Sequence, residues 1–201
     1  KRAKQEYDLL VQFTESVLEE GIDKDYGLIP GVKKKCLLQP GGIALKSAYK
    51  FTDTCEIIQE IFDVTKYPVY IAYTVMVHIY SRSGTHLCQH PGHCNSYEDK
   101  YRYRWIPQWK LNDQQKAIKD HVPFETKKGK KGEFKIYRFD EENPYTQANT
   151  ILQMAYKRGF LGAMRHAVPG ASKLFTDSVE DTTKEHKEEF GEPEEHKEDQ
   201  I

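Results

Sequence analysis

The chain has 201 residues, of which 38% are hydrophobic, 30% are charged and 12% are aromatic. This length fits one domain with tails, and the aromatic content excludes a fully disordered chain. No apolar run approaches the ~18–20 residues of a membrane-spanning helix, and no secretory signal is recognisable, so we expect a cytoplasmic protein without a membrane partner.

The formal net charge of −1 conceals two oppositely charged parts. Residues 176–201 contain 11 acidic and 3 basic residues, a charge of −8, which leaves 27 basic and 20 acidic residues, a charge of +7, in residues 1–175. A basic body indicates a polyanionic partner, and the acidic segment is typical of a disordered, solvated tail. The four cysteines are too few for a disulfide framework and are expected to be reduced thiols.

Hydrophobic periodicity predicts an N-terminal helix followed by a β-meander. Apolar residues recur with a helical period over 4–20, and a loop rich in Gly and Pro then leads to a short helix over 43–51. The period changes to two over 55–62 and again over 69–80, which is typical of strands with one apolar face. A hairpin turn follows, and a third strand is expected to begin near Thr85.

The second half of the body is more basic and less regular. Alternation over 133–139 predicts one short strand, and Pro144 opens a long helix that runs to His166. We therefore expect an α+β fold in which an antiparallel meander of three strands, or slightly more, packs against this long C-terminal helix. Residues 1–21 are then the N-terminal helix, 22–175 the α+β core, and 176–201 the disordered acidic tail.

The strongest functional pattern is the alternation of cations and aromatic residues from 100 to 105. On a strand, alternate residues point to opposite sides, so the cations would face phosphates while the rings stack on bases or anchor the strand. An ordinary strand with a solvated cationic face is the alternative interpretation. The candidate DNA-binding residues here are Lys100, Arg102 and Arg104, and the candidate stacking residues are Tyr101, Tyr103 and Trp105.

Further candidate phosphate contacts lie elsewhere in the basic body. The long C-terminal helix carries three cations, the short helix before the first strand carries a lysine, and a basic Gly-containing segment is expected to be a mobile loop. Solvated charge would explain each group without a ligand. These residues are Lys157, Arg158 and Arg165 on the long helix, Lys46 on the short helix, and Lys127, Lys128, Lys130 and Lys131 in the loop.

Five residues that zinc uses as ligands fall within the nine residues 86–94. Two cysteines and two histidines would complete a tetrahedron, although the cysteines are further apart than the ligand pairs of common zinc sites. A hairpin rich in polar residues would explain the segment without a metal. The alternative function is a zinc-binding nucleic-acid-binding module, an adaptor or a nuclease accessory, with Zn held by Cys88, His90, His93 and Cys94. No phosphate-cradling Gly-rich loop or compact carboxylate set occurs, so neither an ATPase nor a nuclease is expected.

Five short motifs follow one another in a specific order. They are Asp-Tyr-Gly-Leu-Ile-Pro-Gly at 25–31, Leu-Gln-Pro-Gly-Gly at 38–42, Lys-Tyr-Arg-Tyr-Arg at 100–104, Met-Ala-Tyr-Lys-Arg at 154–158 and Ala-Ser-Lys-Leu-Phe-Thr-Asp at 171–177. With these motifs the chain resembles the single-strand annealing proteins of phages and mobile elements, in the superfamily typified by eukaryotic Rad fifty-two. The core of that superfamily is a helix, a three-stranded meander and a long helix, the same order that periodicity predicts.

The resemblance implies a non-enzymatic protein that binds single-stranded DNA and anneals complementary strands without ATP, in phage-type homologous recombination or repair. It implies that no cofactor is required and that subunits form rings or filaments with the DNA in a basic groove. Lys157 and Arg158 match a Lys-Arg pair that contacts the DNA backbone, and Lys46 matches a basic residue before the first strand. The cell is then bacterial or phage-infected. The acidic tail is a docking arm for recombination proteins, a competitor for the groove, or a solubilising segment.

Two positions depart from the pattern of the annealing proteins. Their third strand is rich in Gly where this chain has residues 86–94, which leaves the register of 85–97 open. Gly159 stands where a helix-favouring Ala is expected. Because Gly weakens a helix interior by ~1 kcal/mol, we expect Gly159 to mark a close approach of another segment.

Overall fold

The computed structural model describes residues 1–21, 23–29, 32–129, 132–141 and 143–176 of the chain. It has the predicted α+β class, with antiparallel sheets, an N-terminal helix and a long C-terminal helix. The predicted disordered tail lies, from residue 177 onward, outside the described residues. Within them, none of the helices combines the length and the apolar character that crossing a bilayer requires.

The described part of the chain contains six α-helices and eight strands. The helices are α1 (Arg2–Val17), α2 (Gln39–Tyr49), α3 (Asp99–Arg102), α4 (Asp113–Ile118), α5 (Ala148–Ala167) and α6 (Ala171–Leu174). The strands are β1 (Tyr26–Gly27), β2 (Cys36–Leu37), β3 (Thr52–Asp63), β4 (Tyr70–Tyr80), β5 (His86–Asn95), β6 (Tyr103–Pro107), β7 (Phe124–Gly129) and β8 (Gly132–Asp140). Short 3-10 helices cover Gln108–Lys110, Lys119–His121 and Pro144–Gln147.

Strands β3, β4 and β5 form the predicted meander, with β4 in the centre. On β4, Val75, Val77 and Ile79 are fully buried and alternate with partly exposed residues, because successive side chains of a strand point to opposite faces. The apolar alternation over 69–80 therefore predicts both the strand and its buried face correctly.

A second antiparallel sheet has the strand order β6-β8-β7, and the sequence predicts only part of it. Strand β8 contains the predicted strand 133–139, but β7 has no buried residue and therefore lacks the apolar alternation that identifies a strand. The prediction of a mobile loop at Lys127 and Lys128 is wrong, because both residues lie on β7. They pair with Phe134 and Glu133 of β8.

The chain divides into two compact units. The first unit consists of residues 1–54, 78–89 and the chain from 160 onward, and the second consists of 55–77 and 90–159. Each unit has its own fully buried apolar side chains, which exclude water from its interior. They include Leu10, Leu45, Phe160 and Met164 in the first unit and Ile71, Val75, Val77 and Ile151 in the second.

Strand β5 and helix α5 meet backbone to backbone in the second unit, at Gly92 and Gly159. A methyl group on Gly92 would collide with the carbonyl oxygen of Ala155 and would lie 2.5 Å from the backbone nitrogen of Gly159. A methyl group on Gly159 would lie 2.8 Å from Cγ2 of Val77. The prediction that Gly159 marks a close approach is confirmed, and the approaching segment is β5.

Candidate nucleic-acid interface

The prediction of a single strand over residues 100–105 is wrong. Residues up to Arg102 belong to helix α3, and only those from Tyr103 onward belong to strand β6. The helical turn forms because the backbone N–H groups of Tyr101 and Arg102 both donate to the carbonyl oxygen of Glu98, at 2.8 Å. The six predicted residues therefore do not occupy the two faces of one strand.

Of the three predicted stacking residues, Tyr101 is covered by protein. Only 8% of its surface is exposed. Burial raises the pKa of its hydroxyl above the ordinary value, and the neighbouring Cys94 thiol acts in the same direction. The Tyr101 ring is not available to a base in this conformation. Tyr103 is half-buried, and the guanidinium groups of Arg102 and Arg138 already lie against its ring. Trp105 is 42% exposed, so its ring is the accessible candidate of the three.

Arg158, a predicted DNA contact, forms a bidentate ion pair with Glu98 in the second unit. Its two terminal nitrogens lie 2.6 and 2.7 Å from the two carboxylate oxygens, and one of them also donates to the carbonyl oxygen of His93 at 2.7 Å. The two side chains are 28% and 23% exposed. The guanidinium group thus makes strong contacts within the protein, where it ties α5 to the segment that follows β5.

This ion pair controls the charge of Glu98. Burial alone would raise the pKa of the carboxyl, but the hydrogen bonds and the positive charge of Arg158 outweigh burial and hold the pKa below its ordinary value. Cys94 interacts with the same carboxylate, and burial, together with the charge of Glu98, raises the pKa of its thiol to about 11. Cys94 is therefore a protonated, buried thiol at neutral pH.

Lys100, Lys157 and Arg158 form a group that we call the cation cluster. Burial lowers the pKa of Lys100, and the positive charges of Arg158 and Lys157 lower it further. Nζ of Lys100 lies 3.9 Å from Oε2 of Glu98, the same carboxylate that pairs with Arg158. Lys100 and Arg158 thus share the carboxylate of Glu98, and Lys157 adds positive charge that acts on Lys100. A bound anion would reduce the repulsion between these cations.

Lys46 and Arg165 both lie in the first unit. Nζ of Lys46 is 2.6 Å from Oδ1 of Asp53, and its side chain is 33% exposed. Arg165 is half-buried on α5, and its carbonyl oxygen accepts a hydrogen bond from Ser172. The contact of Lys46 joins α2 to the first residues of β3, which is a structural role.

One face of the second sheet carries aromatic and basic side chains from all three strands. Residues directly opposite in antiparallel strands point to the same face. Trp105 lies opposite Arg138, and Lys127 lies opposite Phe134. Phe134 and Arg138 are four residues apart on β8, and Tyr103 precedes Trp105 by two on β6, so the pleat gives all of them one direction. We call these five residues the aromatic–cation face.

Part of the aromatic–cation face is accessible to solvent, while Tyr103, Phe134 and Arg138 are half-buried. Trp105 is 42% exposed, and Lys127 is also exposed. Trp109, whose ring centroid lies 4.9 Å from that of Phe134, is 61% exposed and extends the aromatic surface. Exposed rings interleaved with cations are the combination that proteins use to hold unpaired nucleic-acid strands.

Two more predicted cations, Arg102 and Arg104, lie where α3 ends and β6 begins. Nε of Arg104 is 3.2 Å from Oε2 of Glu141, and the Arg104 side chain is 64% exposed. Nε of Arg102 is 3.7 Å from Oδ1 of Asp140 and has no hydrogen-bond partner among the described residues. Both arginines therefore lie beside carboxylates at the C-terminal end of β8.

Sequence reasoning missed Arg138 and a group of four lysines as candidate contacts. Arg138 belongs to the aromatic–cation face, and its only signal was its place on the predicted strand 133–139. The lysines at 33–35 and Lys173 line a cavity of about 310 Å³ in the first unit, and the run of three lysines was the available signal. The predicted phosphate contacts Lys130 and Lys131 lie outside the described residues.

The predicted zinc ligands lie on strand β5 rather than in a loop. His93 is exposed and Cys94 is fully buried, because neighbouring residues of a strand point to opposite faces. The thiol of Cys88 donates to the carbonyl oxygen of Ala163. Among the residues that the structure describes, no three His, Cys, Asp or Glu side chains are placed to hold one ion. This geometry gives the zinc-binding alternative no support.

Comparisons with protein-family models, with curated proteins and with solved structures gave no match for this chain. The resemblance to annealing proteins therefore depends on short motifs alone. The arrangement of side chains in the second unit is the independent evidence on function.

Proposed function

We propose that the protein binds single-stranded DNA and anneals complementary strands without ATP, in phage-type homologous recombination or repair. The observation that carries the proposal is the aromatic–cation face, where rings and cations come from three strands of one sheet and Trp105 and Lys127 are exposed. Rings stack on bases of any sequence and cations neutralise phosphates. This combination suits an unpaired strand better than a duplex, whose bases are already stacked on one another.

Annealing requires that the edges of the bound bases stay accessible. Stacking uses the face of a base, and phosphate contacts use the backbone, so neither occupies the edge that pairs with a complementary base. Pairing itself releases free energy, so the reaction needs no nucleotide hydrolysis. The protein lowers the barrier because its cations offset the repulsion between two approaching phosphate backbones.

The size of the face implies that several copies act together. One sheet of this kind contacts only a few nucleotides, so coating a longer strand requires many copies side by side. We therefore include a homo-oligomer, either a ring or a filament, in the proposal. We also include the acidic tail 176–201 as a docking arm for recombination proteins in a bacterial or phage-infected cell.

Replacing Trp105 by alanine should weaken the binding of an oligothymidylate. One stacked ring contributes about 1–3 kcal/mol per base, so we expect a loss of about fivefold or more. Affinity is measured by the fluorescence anisotropy of a labelled strand at constant salt. Phe124→Ala is the matched control, because Phe124 is 53% exposed and lies opposite Tyr137, on the other face of the same sheet.

Equal losses in Trp105→Ala and Phe124→Ala would contradict the assignment of the aromatic–cation face. A second readout is the rate at which two complementary labelled strands anneal without ATP, followed by energy transfer between the labels. The wild type should accelerate this reaction, and Trp105→Ala should accelerate it less. Annealing no faster than the spontaneous reaction would contradict the proposed function itself.

Reversing the charge of Lys157 tests the cation cluster. Lys157→Glu should weaken binding about equally for all sequences and should reduce the slope of log affinity against log salt by about 0.7, the contribution of one phosphate. Lys116→Glu is the control, because Lys116 lies on α4, 3.0 Å from Asp113, and is not part of the cluster. An unchanged slope in Lys157→Glu would remove the cluster from the interface.

A further inference from the structure

A cleft of about 530 Å³ opens in the second unit. Its walls come from the end of helix α3, strands β6 and β8, helix α4, the segment that follows α4, and Tyr67. One wall is cationic and contains Arg102 and Arg138, and another is apolar and contains Ile118, Val122 and Phe139. Pockets of this size hold small organic ligands, so the cleft is suited to a single small group rather than to a length of polymer.

The cationic wall contains two guanidinium groups, and Nε of Arg102 is covered by protein. The guanidinium groups of Arg102 and Arg138 lie against the ring of Tyr103, 5.4 and 4.3 Å from its centroid. Asp140 is too far from Nε of Arg102 for a hydrogen bond, and this nitrogen has no other partner within the described residues. Arg138 forms no ion pair with any of them. Two guanidinium groups and one carboxylate, that of Asp140, thus line the cleft, and the forked N–H groups of an arginine match the geometry of a phosphate.

The apolar wall is open to water at Ile118 and Pro123, whereas Phe139 is buried. Ile118 is 49% exposed, and Val122 and Pro123 line the same cleft. A flat ring placed on this wall would remove apolar surface from water, and the side-chain amide of Gln114, which also lines the cleft, offers both a donor and an acceptor to its polar edge. A ligand with a phosphate and a flat, polar-edged ring would therefore match both walls.

From these two walls we infer that the cleft binds one nucleoside monophosphate group, with the phosphate at Arg102 and Arg138 and the base against Ile118. A free nucleotide and the phosphorylated end of a DNA strand both carry this group. The choice of a nucleotide over other organic phosphates rests on the proposed function. In that function, the cleft holds the terminal nucleotide and so determines where a bound strand begins.

Isothermal titration calorimetry tests the inference with dTMP and with three pentathymidylates, carrying a 5′-phosphate, a 3′-phosphate or no terminal phosphate. The wild type should bind one phosphorylated strand about tenfold more tightly than the unmodified strand, the factor expected for a charge-assisted contact. Arg138→Gln should abolish this preference, and Arg138→Lys should retain only part of it, because an ammonium group lacks the fork. Arg82→Gln, an exposed hairpin position that does not line the cleft, should retain it fully.

The outcomes show whether the bound nucleoside monophosphate group belongs to a free nucleotide or to the end of a strand. Binding of dTMP that depends on Arg138 identifies a site that admits free nucleotides, and binding of a phosphorylated strand alone identifies strand ends; either result supports the cleft. Equal affinities for all three strands, with no heat from dTMP, would overturn the inference. Circular dichroism of each variant shows whether the fold is retained.

Binding of a longer strand without terminal phosphates is measured as well. It distinguishes failure of the cleft assignment from failure of the proposed single-strand binding. If a thirty-residue oligothymidylate binds tightly while the terminal phosphate has no effect, the cleft assignment fails and single-strand binding stands. If dTMP binds through Arg138 while the long strand does not bind, the cleft assignment stands and the proposed function fails.

Discussion

Replacing Arg158 by leucine is expected to lower the free energy of unfolding by about 3 kcal/mol. The substitution leaves the half-buried carboxylate of Glu98 without its cation and the carbonyl oxygen of His93 without its donor. Removing one partner of a buried ion pair typically costs about 3–5 kcal/mol, and the lower end applies because the two side chains are 28% and 23% exposed. Urea unfolding of the two proteins measures the difference.

The double variant Glu98→Leu, Arg158→Leu is the control for this ion pair. It should recover a large part of the lost stability, because no uncompensated charge is left behind. A double variant as unstable as Arg158→Leu would show that packing, not charge, dominates at this position. Arg158→Lys should stay well below the wild type, since an ammonium group cannot satisfy two carboxylate oxygens at once.

The same ion pair gives stability a specific pH dependence. The folded-state pKa of Glu98 lies below its ordinary value of 4.5. The contribution of the ionised Glu98 carboxylate to the stability of the fold is therefore fully present above about pH 4.5, and it is lost as the pH falls through the folded-state pKa. The difference in stability between the wild type and Arg158→Leu should be largest at neutral pH and should shrink in acid.

Replacing Gly92 by alanine is expected to destabilise the fold by about 3 kcal/mol or more. The added methyl group meets the backbone of α5, at the carbonyl oxygen of Ala155 and the nitrogen of Gly159, and neither atom can rotate away. The strand and the helix would have to separate, which opens a gap along their whole contact. Thermal or urea unfolding gives the magnitude.

Gly159→Ala is the comparison for this contact. Its methyl group meets Cγ2 of Val77 at 2.8 Å and backbone atoms of β5 at 3.3 and 3.4 Å, and these backbone contacts are longer than those of a methyl group on Gly92. Alanine also favours the helix by about 1 kcal/mol relative to glycine, so the net loss should be clearly smaller than for Gly92→Ala. A larger loss at Gly159 would contradict the view that the backbone of β5 sets the distance.

The meander and the long helix were predictable because their apolar periods are strong. Val75, Val77 and Ile79 alternate on a central strand that is buried on one face. The second sheet was less predictable because β7 has no buried residue. Its position is fixed by pairing with β8, a contact that leaves no periodic pattern in the sequence.

The sequence allowed the residue types of the candidate site to be predicted, but not the contacts that those residues make. The short range of residues 100–105 was identified as basic and aromatic, but the backbone hydrogen bonds to Glu98 turn its first part into a helix. Arg158 was identified as a cation, but its partner Glu98 lies 60 residues earlier, so no local pattern indicates the pair. Arg138 was missed because a single arginine on a strand carries no signal until the register places it opposite Trp105.

The contacts of β5 with α5 also determine which parts of the second unit can move. The glycine contact and the ion pair of Arg158 fasten residues 92–98 to 155–159 by backbone and by charge, so local opening there would break both at once. Helix α4 and strand β7 have no buried side chains, so we expect them to open at lower free energy. Any adjustment of the second unit to a ligand is therefore carried by α4 and β7, with the junction of β5 and α5 as the fixed frame.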